Sequence, residues 1–142
     1  MKLTRRTMTL GMLALGVFAQ SAARPPARLG DPVELDIVKL TSIEWKQGDT
    51  LPKWVRELDG KEVVISGFIN QRFRDDTDEL LIVSDSCQCA GTPLPQHFVE
   101  VSLDKKTGYK GGELTFIGTF SAGEVEEDGF VASLFRLDGK FF

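Results

Sequence analysis

From residue 33 onward, the chain alternates between hydrophobic and polar positions, with a period of two in most segments. The clearest cases are residues 61–70, 79–85, 97–103, 113–123 and 129–142, which carry apolar side chains at alternate positions or as one short apolar run. Such patterns are typical of β-strands, because successive side chains of a strand point to opposite faces. Residues 33–40 alternate in the same way, so we expect a further strand there.

One segment, residues 50–60, departs from this period and predicts a short helix. Thr50 can cap it, Pro52 is tolerated in a first turn, and Gly60 can end it. The face that would pack on the core comprises Leu51, Trp54, Val55 and Leu58. We expect Trp54, and Trp45 before it, to pack in the core or at the end of a barrel, with ligand stacking as the alternative.

The order of these elements predicts a mainly β domain over residues 33–142. Polar connections, such as residues 104–113 and 123–129, separate the strands and are predicted to be hairpin loops. Gly67 and Gly118 lie inside strands, where a glycine lets a sheet coil. One short helix with five or six strands therefore favours a small OB-like barrel, and a β-sandwich is the alternative.

Residues 1–23 have the pattern of a cleaved export signal: a basic start, a short apolar stretch, and small residues before the cut. Arg5 and Arg6 form a pair, which favours twin-arginine export over ordinary secretion. Residues 24–32 are rich in proline and are predicted to be a linker. We expect a periplasmic or secreted protein, without a lipid or membrane anchor, because no cysteine lies near the end of the signal.

Charge excludes several partners. The chain has 17 basic and 21 acidic residues, and the signal removes three basic residues and no acidic one, so the mature chain carries a net charge of −7. A protein of this charge repels nucleic acids and anionic lipid headgroups. We therefore expect no nucleic acid among its partners.

The candidate chemistry lies in residues 84–97, "SDSCQCAGTPLPQH", which contain both cysteines and the only histidine of the chain. Cys87 and Cys89 can bind one soft ion together, His97 can add an imidazole, and Asp85 is the nearest candidate for a fourth ligand. This donor set suits Zn(II) and also Cu(I), which accepts low coordination numbers. We expect a metal site formed by these four residues.

Two other interpretations of the thiol pair stay open. A disulfide between Cys87 and Cys89 would close a very short ring, stabilise the fold little and be strained, so it would be a redox element rather than a structural bond. The cysteines can also be structural, with no chemistry. We expect no enzymatic activity, because no catalytic acid–base group accompanies the thiols.

Three stretches, "LPKWVRELDGKEVVISGFI", "ELLIVSDSCQCAGTPLPQHFVEV" and "LTFIGTF", resemble an uncharacterised family of small exported bacterial proteins, often labelled lipoproteins of unknown function. Its members carry a Leu-Asp-Gly-Lys turn, here residues 58–61, and a later Cys-x-His loop with a run of prolines. Cys87 matches the cysteine of that loop, Cys89 stands where the family has histidine, and Gln96 with His97 replaces Asn-Gln.

The family often occurs beside genes for ABC-type permeases and metal-uptake components. The resemblance therefore implies an accessory role in metal handling in the cell envelope, with an ABC-type permease or a lipoprotein as partner. It implies no enzymatic activity. The alternatives are a metal-free module that docks on a membrane transporter through the stiff loop, and a small thiol-disulfide protein.

Overall fold

The computed structural model describes residues 30–70, 76–85 and 93–142. The prediction of a mainly β fold is confirmed, whereas the predicted export signal lies outside the described residues. The elements in chain order are β1 (Val33–Leu35), α1 (Ile37–Thr41), α2 (Lys53–Arg56), β2 (Glu62–Ile69), β3 (Thr77–Val83), a 3-10 helix (Pro95–His97), β4 (Val99–Thr107), β5 (Glu113–Glu127) and β6 (Phe130–Phe141). We call the 3-10 helix the His97 turn.

Five of the strands form a closed ring of hydrogen-bonded pairs. Strand β2 pairs with β3, β3 with β4, and β4 with β6 in parallel; β6 pairs with β5, which returns to β2. Strand β1 lies outside this ring, parallel to β2. Closure of the ring is the feature expected of an OB-like barrel and not of two separate sheets.

The core fills the ring with the side chains that the alternation predicted. Val63, Ile65 and Ile69 of β2 are buried, as is the inward row of β4 (Val99, Val101 and Leu103). Aromatic rings add volume: Phe120 stacks on Phe135 with the ring centroids 6.2 Å apart. Leu40 of α1 and Val55 of α2 are fully buried against the same core, so the two helices close one part of it.

Gly118, inside β5, allows this strand and β6 to approach each other closely. Gly118 is directly opposite Gly139 of β6, and a Cβ atom on either glycine would collide with backbone atoms of the other strand. The two paired strands therefore approach each other here at a distance that only glycine permits.

The prediction of a strand over residues 33–40 is wrong after Leu35. Asp36 caps α1 instead: its Oδ1 accepts hydrogen bonds from the backbone N–H groups of Val38 at 2.8 Å and Lys39 at 3.3 Å. This local capping satisfies the first backbone donors of a helix and overrides the alternation of the sequence. Ile37 and Leu40 are buried on one face of the short helix.

The helix predicted over residues 50–60 is confirmed in place but is shorter, because α2 begins after Pro52 and ends at Arg56. Gly60 has a φ of +78° and a backbone N–H that donates to the carbonyl of Phe120. Trp54 is half-buried beneath the Lys39 ammonium, 4.6 Å from the ring centroid. Trp54 also packs against the hydrophobic core, as the sequence predicts.

The connection predicted over residues 123–129 is also mostly strand. Strand β5 continues to Glu127, and only Asp128 and Gly129 form the turn, with φ values of +52° and +84°. Two positive φ values are what a two-residue type I′ hairpin turn requires, and Asp-Gly favours it. The acidic residues Glu124, Glu126 and Glu127 therefore lie on extended backbone, with their side chains on both faces of the hairpin.

Candidate functional site

The four predicted ligands belong to the connection between β3 and β4. The last pair of these antiparallel strands joins Ile82 to Val99. Asp85 follows that pair on one side and His97 precedes it on the other, so both leave the same end of the strand pair. Cys87 and Cys89 lie between them in the sequence but outside the described residues.

The His97 turn owes its shape to the prolines. Leu94 is extended, with φ −70° and ψ 157°, because a residue before proline is disfavoured in the helical region. Pro95 then opens the turn, and the backbone N–H of His97 donates to the carbonyl of Leu94 at 2.8 Å. In this turn Gln96 points inward and is 8% exposed, whereas His97 is exposed to solvent.

The His97 turn packs against β6 and α1, and a long hydrogen bond links it to the tryptophan segment. The Gln96 Nε2 atom donates to the carbonyl of Trp45 at 3.4 Å. Trp45, itself 8% exposed, donates from Nε1 to the carbonyl of Asp49 at 3.0 Å. The Trp45 ring is therefore a packed support of the site and not a platform for stacking.

A groove separates this tryptophan segment from the His97 turn. Its volume is about 770 Å³. One wall is formed by the end of α1 and residues between 43 and 49, and the other by Leu94, Gln96 and His97. Ile43 and Leu94 supply apolar surface, and His97 lies on the rim. The groove is large enough for a small ligand or for the side chains of a partner.

Of the four predicted ligands, Asp85 and His97 lie among the described residues, and both flank the same end of the β3–β4 strand pair. Within residues 30–70, 76–85 and 93–142, no group of three or more His, Cys, Asp or Glu residues could hold a metal ion. Any site of the predicted kind would thus depend on the two thiols.

Sequence reasoning missed the pairing of Gln96 with Trp45. The two residues are 51 positions apart, and neither hydrophobic period nor motif connects them. The only signal was the pair of prolines that predicts a stiff approach to Gln96, and it did not identify the partner.

No helix in the part of the chain that the structure describes is long and apolar enough to cross a membrane. Comparison with known proteins yields one structural likeness, to the crystal structure of a DUF3299 family protein from Pseudomonas aeruginosa PAO1. That likeness covers 80% of this chain and 97% of the other, with 18% identity and a TM-score of 0.49. We attach no function to it. No protein-family model and no curated protein matches the chain.

Proposed function

We propose that this protein is an exported binding or accessory domain that holds a soft transition metal, Zn(II) or Cu(I), for an envelope transport system. The ligands would be Cys87, Cys89 and His97, with Asp85 as the fourth. The observation that supports the proposal is the His97 turn, which exposes the imidazole at the end of β3–β4 where Asp85 leaves the sheet.

The His97 turn has a defined position on the fold. The burial of Gln96 and its hydrogen bond to the Trp45 carbonyl hold the backbone of the turn. An imidazole on a held backbone loses less conformational freedom on binding a metal than one on a free chain. His97 is therefore suited to be the anchor of a site whose other ligands come from the preceding residues.

The donor atoms of the predicted ligands determine which metal ions they suit. Two thiolates and one imidazole form the kind of set that binds Zn(II) at tetrahedral sites, and the thiolates also suit Cu(I). The soft thiolate ligands of this set disfavour Mg²⁺ and Ca²⁺, which are hard cations and prefer oxygen ligands. No catalytic step is part of the proposal.

A second candidate is a metal-free module that docks on a membrane transporter through the loop. Leu94 favours it, because this side chain lies between two prolines, is 54% exposed and lines the groove. Stiff backbone on both sides of an exposed apolar side chain lowers the conformational entropy that is lost when a partner covers it. The two candidates differ in whether the thiols are needed.

The deciding experiment measures metal content and free thiols of the mature protein purified from the compartment to which it is exported. We expect about one Zn or Cu per chain, lost in Cys87→Ser and in Cys89→Ser and reduced in His97→Gln and Asp85→Asn. Gln47→Ala and Asp104→Asn are matched controls, because each alters an exposed polar residue outside the predicted ligands. Unfolding curves of all variants establish that the fold is retained.

Two free thiols without metal, after exposure to Zn(II) and to Cu(I), would contradict the metal proposal. In that case, retained transport function in both cysteine variants would support the metal-free module. A bridge between Cys87 and Cys89 that opens near cellular redox potentials would instead identify a thiol-disulfide protein.

A further inference from the structure

The hairpin formed by β5 and β6 extends beyond the ring. Strand β5 pairs with β2 as far as Thr119, and β6 pairs with β4 from Arg136 onward. Between these points the two strands pair with each other at Val125–Ser133, Glu126–Val131 and Glu127–Phe130. We call residues 123–133 the hairpin arm.

The arm is held at its tip and at its base. The turn at Asp128 and Gly129 has the two positive φ values of a type I′ hairpin. At the base, Arg136 Nη1 donates to the carbonyl of Gly123 at 3.1 Å, and the backbone N–H of Gly48 donates to Glu124 Oε1 at 3.1 Å. A surface that is already ordered loses little entropy when a partner binds.

Phe130, the first residue after the turn, is the exposed apolar group of the arm. Its side chain is 75% exposed although it lies in a regular strand opposite Glu127. Large aromatic side chains contribute much of the binding energy of protein interfaces when a partner covers them. The fold itself does not use this ring, since Phe130 is not part of the hydrophobic core.

The charges around Phe130 determine what can cover it. Residues 121–135 contain four acidic side chains and no lysine or arginine, the acids being Glu124, Glu126, Glu127 and Asp128. Glu127 also shares a surface depression with Glu79 of β3 and Glu100 of β4, so the negative field extends over the neighbouring strands. Such a field repels an anionic bilayer and attracts a cationic surface.

We propose that the hairpin arm is a docking element for a protein partner with an apolar socket framed by lysine and arginine side chains. Phe130 enters the socket, and Glu126, Glu127 and Asp128 pair with the basic frame. This proposal is independent of metal binding, because the arm contains none of the predicted ligands.

Site-specific photo-crosslinking in the cell that exports the protein tests the docking. A benzophenone amino acid replaces Phe130 in one variant and Phe142 in another. Phe142 is a matched control, because it is 76% exposed and lies at the C-terminus, outside the arm. We expect one discrete protein adduct from position 130 and none from position 142, with the crosslinked segment of the partner rich in lysine and arginine.

Charge variants then test the basic frame. The triple change E126Q/E127Q/D128N, made in the variant with the crosslinker at position 130, should lower the adduct yield about tenfold, as should high salt. The change E62Q/D104N/E113Q neutralises three exposed acids on the ring and should leave the yield unchanged. Matching unfolding midpoints ensure that the variants are compared in the folded state.

Several results would overturn the proposal. These are the lack of an adduct from position 130, equal adducts from positions 130 and 142, an adduct with lipid, a crosslinked segment without basic residues, and a yield that neither the charge variant nor salt lowers.

Discussion

Two connections between neighbouring antiparallel strands hold their shape in different ways. The β5–β6 connection is a two-residue turn whose conformation follows from Asp128 and Gly129 themselves. The β3–β4 connection contains the His97 turn, which packs against β6 and α1 and is linked by the buried Gln96 to the distant Trp45 segment. The first connection is local, and the second is tertiary.

This difference bears on function. A local turn makes the hairpin arm a stiff projection whose exposed residues can change without loss of the fold. A tertiary connection links the position of His97 to the packing of α1 and residues 45–49, because α1 contacts the His97 turn. The His97 turn is thus supported by tertiary packing, whereas the hairpin arm is shaped mainly by the pairing of its own two strands, with one tertiary hydrogen bond, from Gly48 to Glu124, at its base.

The largest effect is expected at the pair of glycines that lets β5 and β6 approach each other in the ring. Gly118→Ala should destabilise the protein by more than about 3 kcal/mol, because the new Cβ meets the backbone of Asp138 and Gly139. Urea unfolding measures the effect. Gly108→Ala is the control, since nothing lies within 4 Å of a Cβ at that position; equal curves for the two variants would contradict the close approach.

An intermediate effect should follow loss of the tertiary support. Gln96→Ala should cost about 1–2 kcal/mol, because it removes a buried amide and leaves the Trp45 carbonyl without that donor. The same unfolding measurement serves here, with the exposed Gln47→Ala as a control expected within about 0.5 kcal/mol of the wild type. If Gln96→Ala proved as mild as its control, the β3–β4 connection would not depend on this contact.

The smallest effect is expected at the local turn. Asp128→Val should cost about 1 kcal/mol, because a β-branched residue is strained at a φ of +52°. Asp128→Asn should change stability by less than about 0.5 kcal/mol, since asparagine tolerates this conformation. The stabilities of the two variants are compared by their thermal unfolding midpoints. A cost for asparagine as large as for valine would show that the aspartate carboxylate, and not the backbone, stabilises the turn.

Much of the fold was accessible from the alternation of the sequence. The buried rows Val63, Ile65, Ile69 and Val99, Val101, Leu103 lie where a period of two places them. The errors came where a local hydrogen bond or turn competed with that period. Asp36 caps a helix inside a segment predicted to be a strand. Strand β5 continues through the acidic residues before Asp128, inside a segment predicted to be a loop.

The sequence predicts the candidate site only as a set of residue types. Cysteine, histidine and aspartate in one loop define the chemistry to expect, and the prolines predict stiff backbone. Which way His97 faces depends on Gln96 being buried beside Trp45. No sequence period encodes a contact between residues 51 positions apart.

The mainly β class, the inward rows of the strands and a hairpin connection within residues 123–129 follow from the sequence alone, because they depend on side-chain alternation and on the φ values that single residues tolerate. The closure of the ring, the close approach of Gly118 to Gly139, and the exposure of His97 and Phe130 arise only in the tertiary structure. Those features depend on which distant strands meet, and that choice is made by the packing of the whole core rather than by any one segment.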